Sequence, residues 1–301
     1  MVNAGLTTKR PSARRPGPAH KAPRTKARAT GTSAFRGPVN ASVHRVLAIA
    51  RHQAIVMSRS PHRFFDLFVQ PALTLLLYGG ISMAVARSTG SSADLGLYLI
   101  TGAILWNTVH QAQVSLASGA MSELSGRTVL DLMVSPLRMG EYLAGVALFG
   151  LVQTLLGNVV GALVAWTAYG FNVLTIGPRL ILIVTLLVVT GWAIALLVIA
   201  TVLRFSLGAE ILVWAMMAAL VPLSGAFYSI QNLPAFLHPV ADVLPFQYIF
   251  ALARDPAEGH AWESDLLWAL TGTCVMSALA VGVLTLMTKV FLRRGYVTRH
   301  I

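Results

Sequence analysis

Beyond residue 66, the charges of this chain fall almost entirely between six long stretches that carry none: 67–86, 95–122, 142–178, 180–203, 211–241 and 266–288. About 20 helical residues cross a hydrocarbon core roughly 30 Å thick, so each stretch is long enough to hold one crossing. The pattern predicts an all-α membrane protein with six transmembrane helices.

Charge then becomes a question of sidedness. The chain is 55% hydrophobic and 11% charged, yet carries a formal +12. In a soluble domain that excess would suggest nucleic acid; in a membrane protein it sorts by face. Twenty of the 23 Lys and Arg lie before the first stretch, in its even-numbered connections or after the last, against Arg87, Arg179 and Arg254 on the other side. Counted from Arg45 onward, the ratio is 11 to 3. Both termini are predicted cytoplasmic, and no nucleic-acid partner is expected. The single Cys274 lies in the sixth stretch, so no intramolecular disulfide and no Cys-based metal site can form.

Residues 1–38 hold nine Lys or Arg, five prolines and no acid, and too little apolar surface to bury; they are expected to be a disordered basic tail. Residues 39–301 form the membrane domain. At its start, Val43, Val46, Leu47, Ala50, Ala54 and Met57 recur at helical spacing opposite His44, Arg45, Arg51, His52 and Arg59, the pattern of an amphipathic interfacial helix that meets membrane lipid. Ser60-Pro61 is expected to break it. In the third stretch, Gly157, Gly161 and Ala165 make a small-residue face, suited to tight packing within the chain or to a subunit interface.

The connection between the second and third stretches predicts a short inner helix. Glu123, Arg127 and Asp131 follow at four-residue spacing, and Leu124, Val129, Leu130, Leu132 and Met133 are apolar without a membrane to enter. Ser135-Pro136 ends it. Such a helix either packs under the bundle or docks a cytoplasmic protein. On the other side, the apolar run 243–253 is too short to cross, and Pro222, Pro234, Pro239 and Pro245 interrupt its surroundings. Re-entrant helices between the fifth and sixth crossings are the expected result.

Neither a phosphate-binding GxxxxGK[ST] loop, an HExxH helix nor a GxSxG elbow occurs, and between the span ends there is no Asp or Glu. No catalytic residue is assigned. The polar groups at lipid depth concentrate in the second stretch, where Asn107, His110 and Gln111 share a helix face and Gln113 occupies another. They either hydrogen-bond to neighbouring helices, with Gln153 and Asn158 as available partners, or line a wet cavity and contact a substrate on its path. His110 alone is no metal site.

Three segments carry a resemblance. Pro222, Ser224, Gly225, Phe227, Tyr228, Leu233, Pro234, Pro245 and Tyr248 fall in the pattern found in the permease subunits of ABC-2 type exporters. LMVSPLRMGEYLAG at 132–145 resembles that family's stretch after the coupling helix, with Ser135, Pro136, Leu137, Arg138 and Glu141 in register. The lead-in to the first stretch, with Pro71 and Gly79, is similar as well. The resemblance implies a bacterial inner-membrane half-transporter that pairs with a second copy or a paralogue. Two separate ABC ATPase subunits would power it, binding the ATP and Mg; no cofactor is expected on this chain. It gives the helix 123–132 (Glu123, Leu124, Arg127, Leu130, Asp131, Leu132) a coupling role in an ATPase groove. It sets Phe227 and Tyr228 near an outer constriction; Pro222, expected mid-helix, removes a backbone donor there, so the span can kink at a hinge for opening. Its aromatic content of 8% favours a small amphipathic or lipophilic cargo, a drug, antibiotic or lipid, over a polysaccharide or lipid-linked glycan. A lipid-modifying integral-membrane enzyme, the reading from another class, would need a reactive constellation that the sequence does not show.

Overall fold

The fold is given by a computed structural model, which describes residues 38–89, 93–124, 139–205, 210–254 and 262–294. The described residues contain helices and turns and no strand. Helix α1 is Pro38–Ser58, α2 Pro61–Thr89, α3 Ala93–Leu124, α4 Met139–Tyr169 and α5 Arg179–Phe205. After these come α6 Glu210–Leu223, α7 His238–Val243, α8 Phe246–Ala251 and α9 Trp262–Arg294. Among the described residues, 3-10 turns lie at Val173–Ile176, Ile230–Asn232 and Ala235–Leu237.

Among the described residues, four helices are long and apolar enough to cross a membrane, over Phe65–Val85, Gly140–Tyr169, Arg179–Arg204 and Trp262–Val290. Two of the six expected crossings look different. Helix α3 has 32 residues, but its run of Asn, Thr, His, Gln and Ser side chains dilutes its apolar character. Helix α6 has 14 residues, about 21 Å at 1.5 Å per residue, shorter than a hydrocarbon core. Its charge-free stretch continues to 241, but the helix stops at Leu223, one residue after Pro222. Pro222 therefore sits in the last turn of α6 and not mid-helix. A proline there lacks the N–H for the helical ladder, and the chain leaves through Ser224 and Gly225, the latter at φ +68°.

The polar composition of α3 follows from its position. It packs against α2, α4 and α5, while α5 lies between α3 and α9. Leu105, Val109, Leu116, Leu187, Ile194 and Ile199 are among the buried side chains of the resulting core. A helix covered by protein can carry amides and hydroxyls that a lipid-facing one cannot. The opposite holds for α4, whose Val152, Leu155, Val159, Leu163 and Trp166 are exposed along one stripe, as suits hydrocarbon contact.

Glycines set the closest crossings. Gly157 and Gly161 face Gln111 and Leu75 across the α3 and α2 contacts, so the small-residue face of α4 serves packing within the chain. Gly79 leaves room for the Tyr169 ring, whose hydroxyl donates to the Leu76 carbonyl at 2.7 Å. Helix α1 packs chiefly on α4. Val46, Ile49 and the buried Gln53 form its inward side, with Gly145 admitting Ile49. Val43 and Leu47 are exposed and available to lipid. The expected apolar stripe is thus divided between protein and surroundings, and its inward side includes an amide the pattern did not select.

Candidate functional site

Three regions hold the residues singled out from sequence. The first is the polar face of α3. Asn107 and Gln111 are buried there, and Gln111 Nε2 donates to the Asp66 carbonyl at 2.8 Å and meets Gln70 Oε1 at 3.4 Å. His110 Nδ1 lies 3.5 Å from Gln70 Nε2. The partner of this face is α2, through Asp66 and Gln70, and not the expected pair on α4. Asn158 instead receives the Thr108 hydroxyl at 3.1 Å. Sequence reasoning missed Gln70 because it stands alone in an apolar run; its one available signal was a lipid-depth amide in need of a partner. Gln113 is fully buried on another side of α3, with neither end of its amide paired among the described residues.

The second region is the turn after α6, where most of the resemblance motif lies. Ser224 Oγ donates to the Val221 carbonyl at 2.7 Å and accepts from the Ala226 N–H at 3.1 Å, closing the end of α6 through its own side chain. The Gly225 carbonyl accepts from Arg254 Nη2 at 2.6 Å and from the Tyr98 hydroxyl at 3.5 Å. The Arg254 guanidinium also lies 3.7 Å from the centre of the Tyr98 ring. One cation therefore ties three elements: the start of α3, the turn after α6 and the end of α8. Gly102 of α3 approaches the Ala226 carbonyl so closely that a β-carbon would overlap it.

Around this knot, Phe227 stacks on Tyr78 at 4.3 Å between centroids, while the exposed Tyr228 donates its hydroxyl to the Pro222 carbonyl at 3.0 Å. The Leu233 carbonyl accepts from His238 Nε2 at 2.9 Å. Pro234 precedes the turn Ala235–Leu237, and the buried Pro245 precedes α8 and abuts Gly272 of α9. The structure thus brings Pro222, Ser224, Gly225, Phe227 and Tyr228 together at the end of the bundle that bears the α4–α5 connection. Tyr98, Gly102 and Arg254 were not selected from sequence. Arg254 had been counted only as a charge for orientation, and nothing local marks its target. Because Gly225 is left-handed, Gly225→Ala is expected to cost about 1–2 kcal/mol of stability, read as a lower melting temperature in detergent.

The third region is the opposite end. Arg127, Leu130, Asp131, Leu132, Ser135, Pro136 and Arg138 lie outside the described residues. Glu123 and Leu124 are the last two residues of α3. Glu141 stands in the first turn of α4, where Oε1 accepts from Ser42 Oγ at 2.6 Å and Arg45 Nη2 at 3.0 Å. Its carboxylate complements the helix N-terminus and pins α1 to α4. The pair is partly shielded, with side-chain exposures of 36% for Arg45 and 13% for Glu141. A double-mutant cycle on Arg45→Met and Glu141→Gln should return a coupling of about 1 kcal/mol that shrinks at high salt. Additive single effects would show that the contact contributes nothing.

Among the described residues, no three His, Cys, Asp or Glu side chains gather to hold a metal. The arrangement instead ties elements together: a polar seam joins α2 to α3, a cationic knot joins three elements at one end, and an ion pair joins α1 to α4 at the other. No curated protein matches the chain. The sequence profile of the ABC-2 type transporter family matches residues 44–256, more than half of the chain and most of the three regions. The chain belongs to the ABC-2 type transporter family, as a membrane-embedded permease subunit.

Proposed function

We propose that this permease exports a small amphipathic or lipophilic compound from the bacterial cytoplasm, driven by two ABC ATPase subunits on separate chains that bind the ATP and Mg. The observation that carries the reading is the family match over 44–256 on a bundle whose polar seam contains amides and an imidazole. A seam built largely of amides suits cargo with few charges. In this reading α3 and α6 complete six crossings, and both termini lie in the cytoplasm. The short helices α7 and α8 re-enter from the outer side, and the knot around Gly225 closes the outer end. The segment 123–138, together with Glu141, meets the ATPase, and a second copy or a paralogue completes the pathway.

The test is purification from the native membrane followed by reconstitution. An ATPase should co-purify and be lost when the apolar residues of 124–133 are replaced by serine, and vesicles should show vanadate-sensitive uptake of a lipophilic dye. Uptake that persists without any ATPase would overturn the reading, and uptake restricted to glycan-linked lipid would move the cargo class.

A further inference from the structure

Helix α1 has three sides, one of which packs on the bundle. Ser42, Arg45, Val46, Ile49 and Gln53 form that side, through the Glu141 carboxylate at the start of α4 and through the gap that Gly145 leaves. The apolar span of α4 begins at Gly140 and that of α2 at Phe65, shortly after α1 ends. Helix α1 therefore lies where two spanning helices enter the hydrocarbon. At about 100° per residue, its second side carries Val43 and Leu47, half exposed and apolar. The third carries His44, Arg51 and His52, continued by Arg59 in the turn after the helix. All four are exposed, and the exposed Ile55 stands among them.

Neither α1 nor the turn after it contains an Asp or Glu to offset this third side. Arg45 is used inward on Glu141, whereas the side chains of Arg51 and Arg59 form no hydrogen bond or ion pair among the described residues. The two lie about 12 Å apart along the helix path, at 1.5 Å per residue. Exposed guanidinium groups alone are ordinary surface. Here they flank an isoleucine at the membrane boundary, beside a second side that is apolar, so whatever covers them must take both kinds of group. An acidic protein surface would satisfy the arginines and leave Val43, Leu47 and Ile55 in a polar setting. A bilayer face is apolar at acyl depth and anionic at phosphate depth when it contains acidic lipid, and arginine stems are long enough to lie along the first while the head meets the second. We propose that the outward flank of α1, with Arg51 and Arg59 as its two anchors and His44, His52 and Ile55 beside them, is a seat for anionic phospholipid, selected over zwitterionic lipid by the charge of its headgroup.

The probes are phosphatidylglycerol and phosphatidylcholine that carry the same diazirine next to the glycerol ester, each at low abundance in phosphatidylcholine nanodiscs holding the full chain. On irradiation the phosphatidylglycerol probe should label residues of 43–59 about tenfold more than its partner. Each basic residue near a membrane surface contributes about fivefold to the attraction of anionic lipid, and salt screens part of it. Arg51→Gln with Arg59→Gln should bring the two probes to within about twofold. Arg51→Lys with Arg59→Lys should keep most of the preference, because charge selects the lipid and the planar fork does not. Both arginines are exposed, so neither pair should move the melting temperature. Arg14→Gln with Arg15→Gln, in the basic N-terminal stretch, controls for general attraction and should leave the labelling of 43–59 as it was. Equal labelling by the two probes, or a preference that survives the glutamine pair or disappears with the Arg14 and Arg15 pair, would overturn the proposal. If the glutamine pair sheds a co-purifying ATPase and keeps its lipid preference, the flank belongs to an acidic protein surface and the proposal falls. Neither ATP hydrolysis nor transport enters the lipid readout, so failure here leaves the exporter reading untouched.

Discussion

Gly102→Ala is expected to be the most damaging single-methyl change in the described part of the chain. The new β-carbon would overlap the Ala226 carbonyl oxygen, and the atom in the way is backbone, fixed by the Ser224 hydrogen bonds on one side and the Arg254 contact on the other. Relief requires α3 to move off the turn after α6. Overpacking of a fixed site costs up to about 3 kcal/mol, and here the displaced helix is also the one that packs on α2, α4 and α5. The variant should show a melting temperature lowered by many degrees in detergent and lose dye uptake in vesicles. Gly282→Ala is the matched control, since a β-carbon there meets nothing within 4 Å. It should melt at or slightly above wild type, by the roughly 1 kcal/mol helix preference of Ala over Gly. If both variants melt alike, the close approach of α3 to Ala226 is wrong.

Arg254→Gln is expected to loosen the same end without a clash. It removes a charge-assisted hydrogen bond to Gly225 and a cation stacked on Tyr98, interactions worth about 1.5–3 and about 0.5–2 kcal/mol when partly shielded. About 2–3 kcal/mol of stability should be lost, because the two share one side chain and do not add in full. Arg254→Lys should recover only part, since an ammonium keeps the charge but lacks the planar fork and stacks less well. The functional readout separates a latch from a mere prop. A latch predicts ATP hydrolysis that continues while dye uptake falls, because the end held by Arg254 no longer closes between cycles. A proportional fall in both activities would reduce Arg254 to a structural contact.

The two ends of the molecule differ in how much the sequence discloses. Lipid-facing helices were legible because hydrocarbon imposes one rule along the whole length of a helix, and the stripe from Val152 to Trp166 obeys it. The break after α1 was legible from Ser60-Pro61, and Pro61 then takes the first position of α2, where its missing N–H costs nothing. The early end of α6 was harder to read: residues 224–241 remain free of charge, so hydropathy continues after the helix has stopped. Proline and a left-handed glycine end it, and both were visible, but their effect on a charge-free run depends on whether another element pairs with the released backbone groups. Ser224, Arg254 and Tyr98 do so here.

The amides of α3 show the same division. Their need for partners could be stated from composition, since an unpaired amide in hydrocarbon is costly. Their actual partners, Gln70 and the Asp66 carbonyl on α2, depend on which helix lies beside which face.

By itself the sequence determined that the chain is a membrane protein, where four of its apolar helices lie and which residues carry the family pattern. These follow from local composition, because solvent and hydrocarbon act on each segment separately. Only the tertiary structure decided that α3 is the central helix, that Arg254 reaches across to Gly225, and that Glu141 holds α1. Each of these is a meeting of residues far apart in the chain, set by how side chains of particular size pack, and no one-dimensional pattern encodes it.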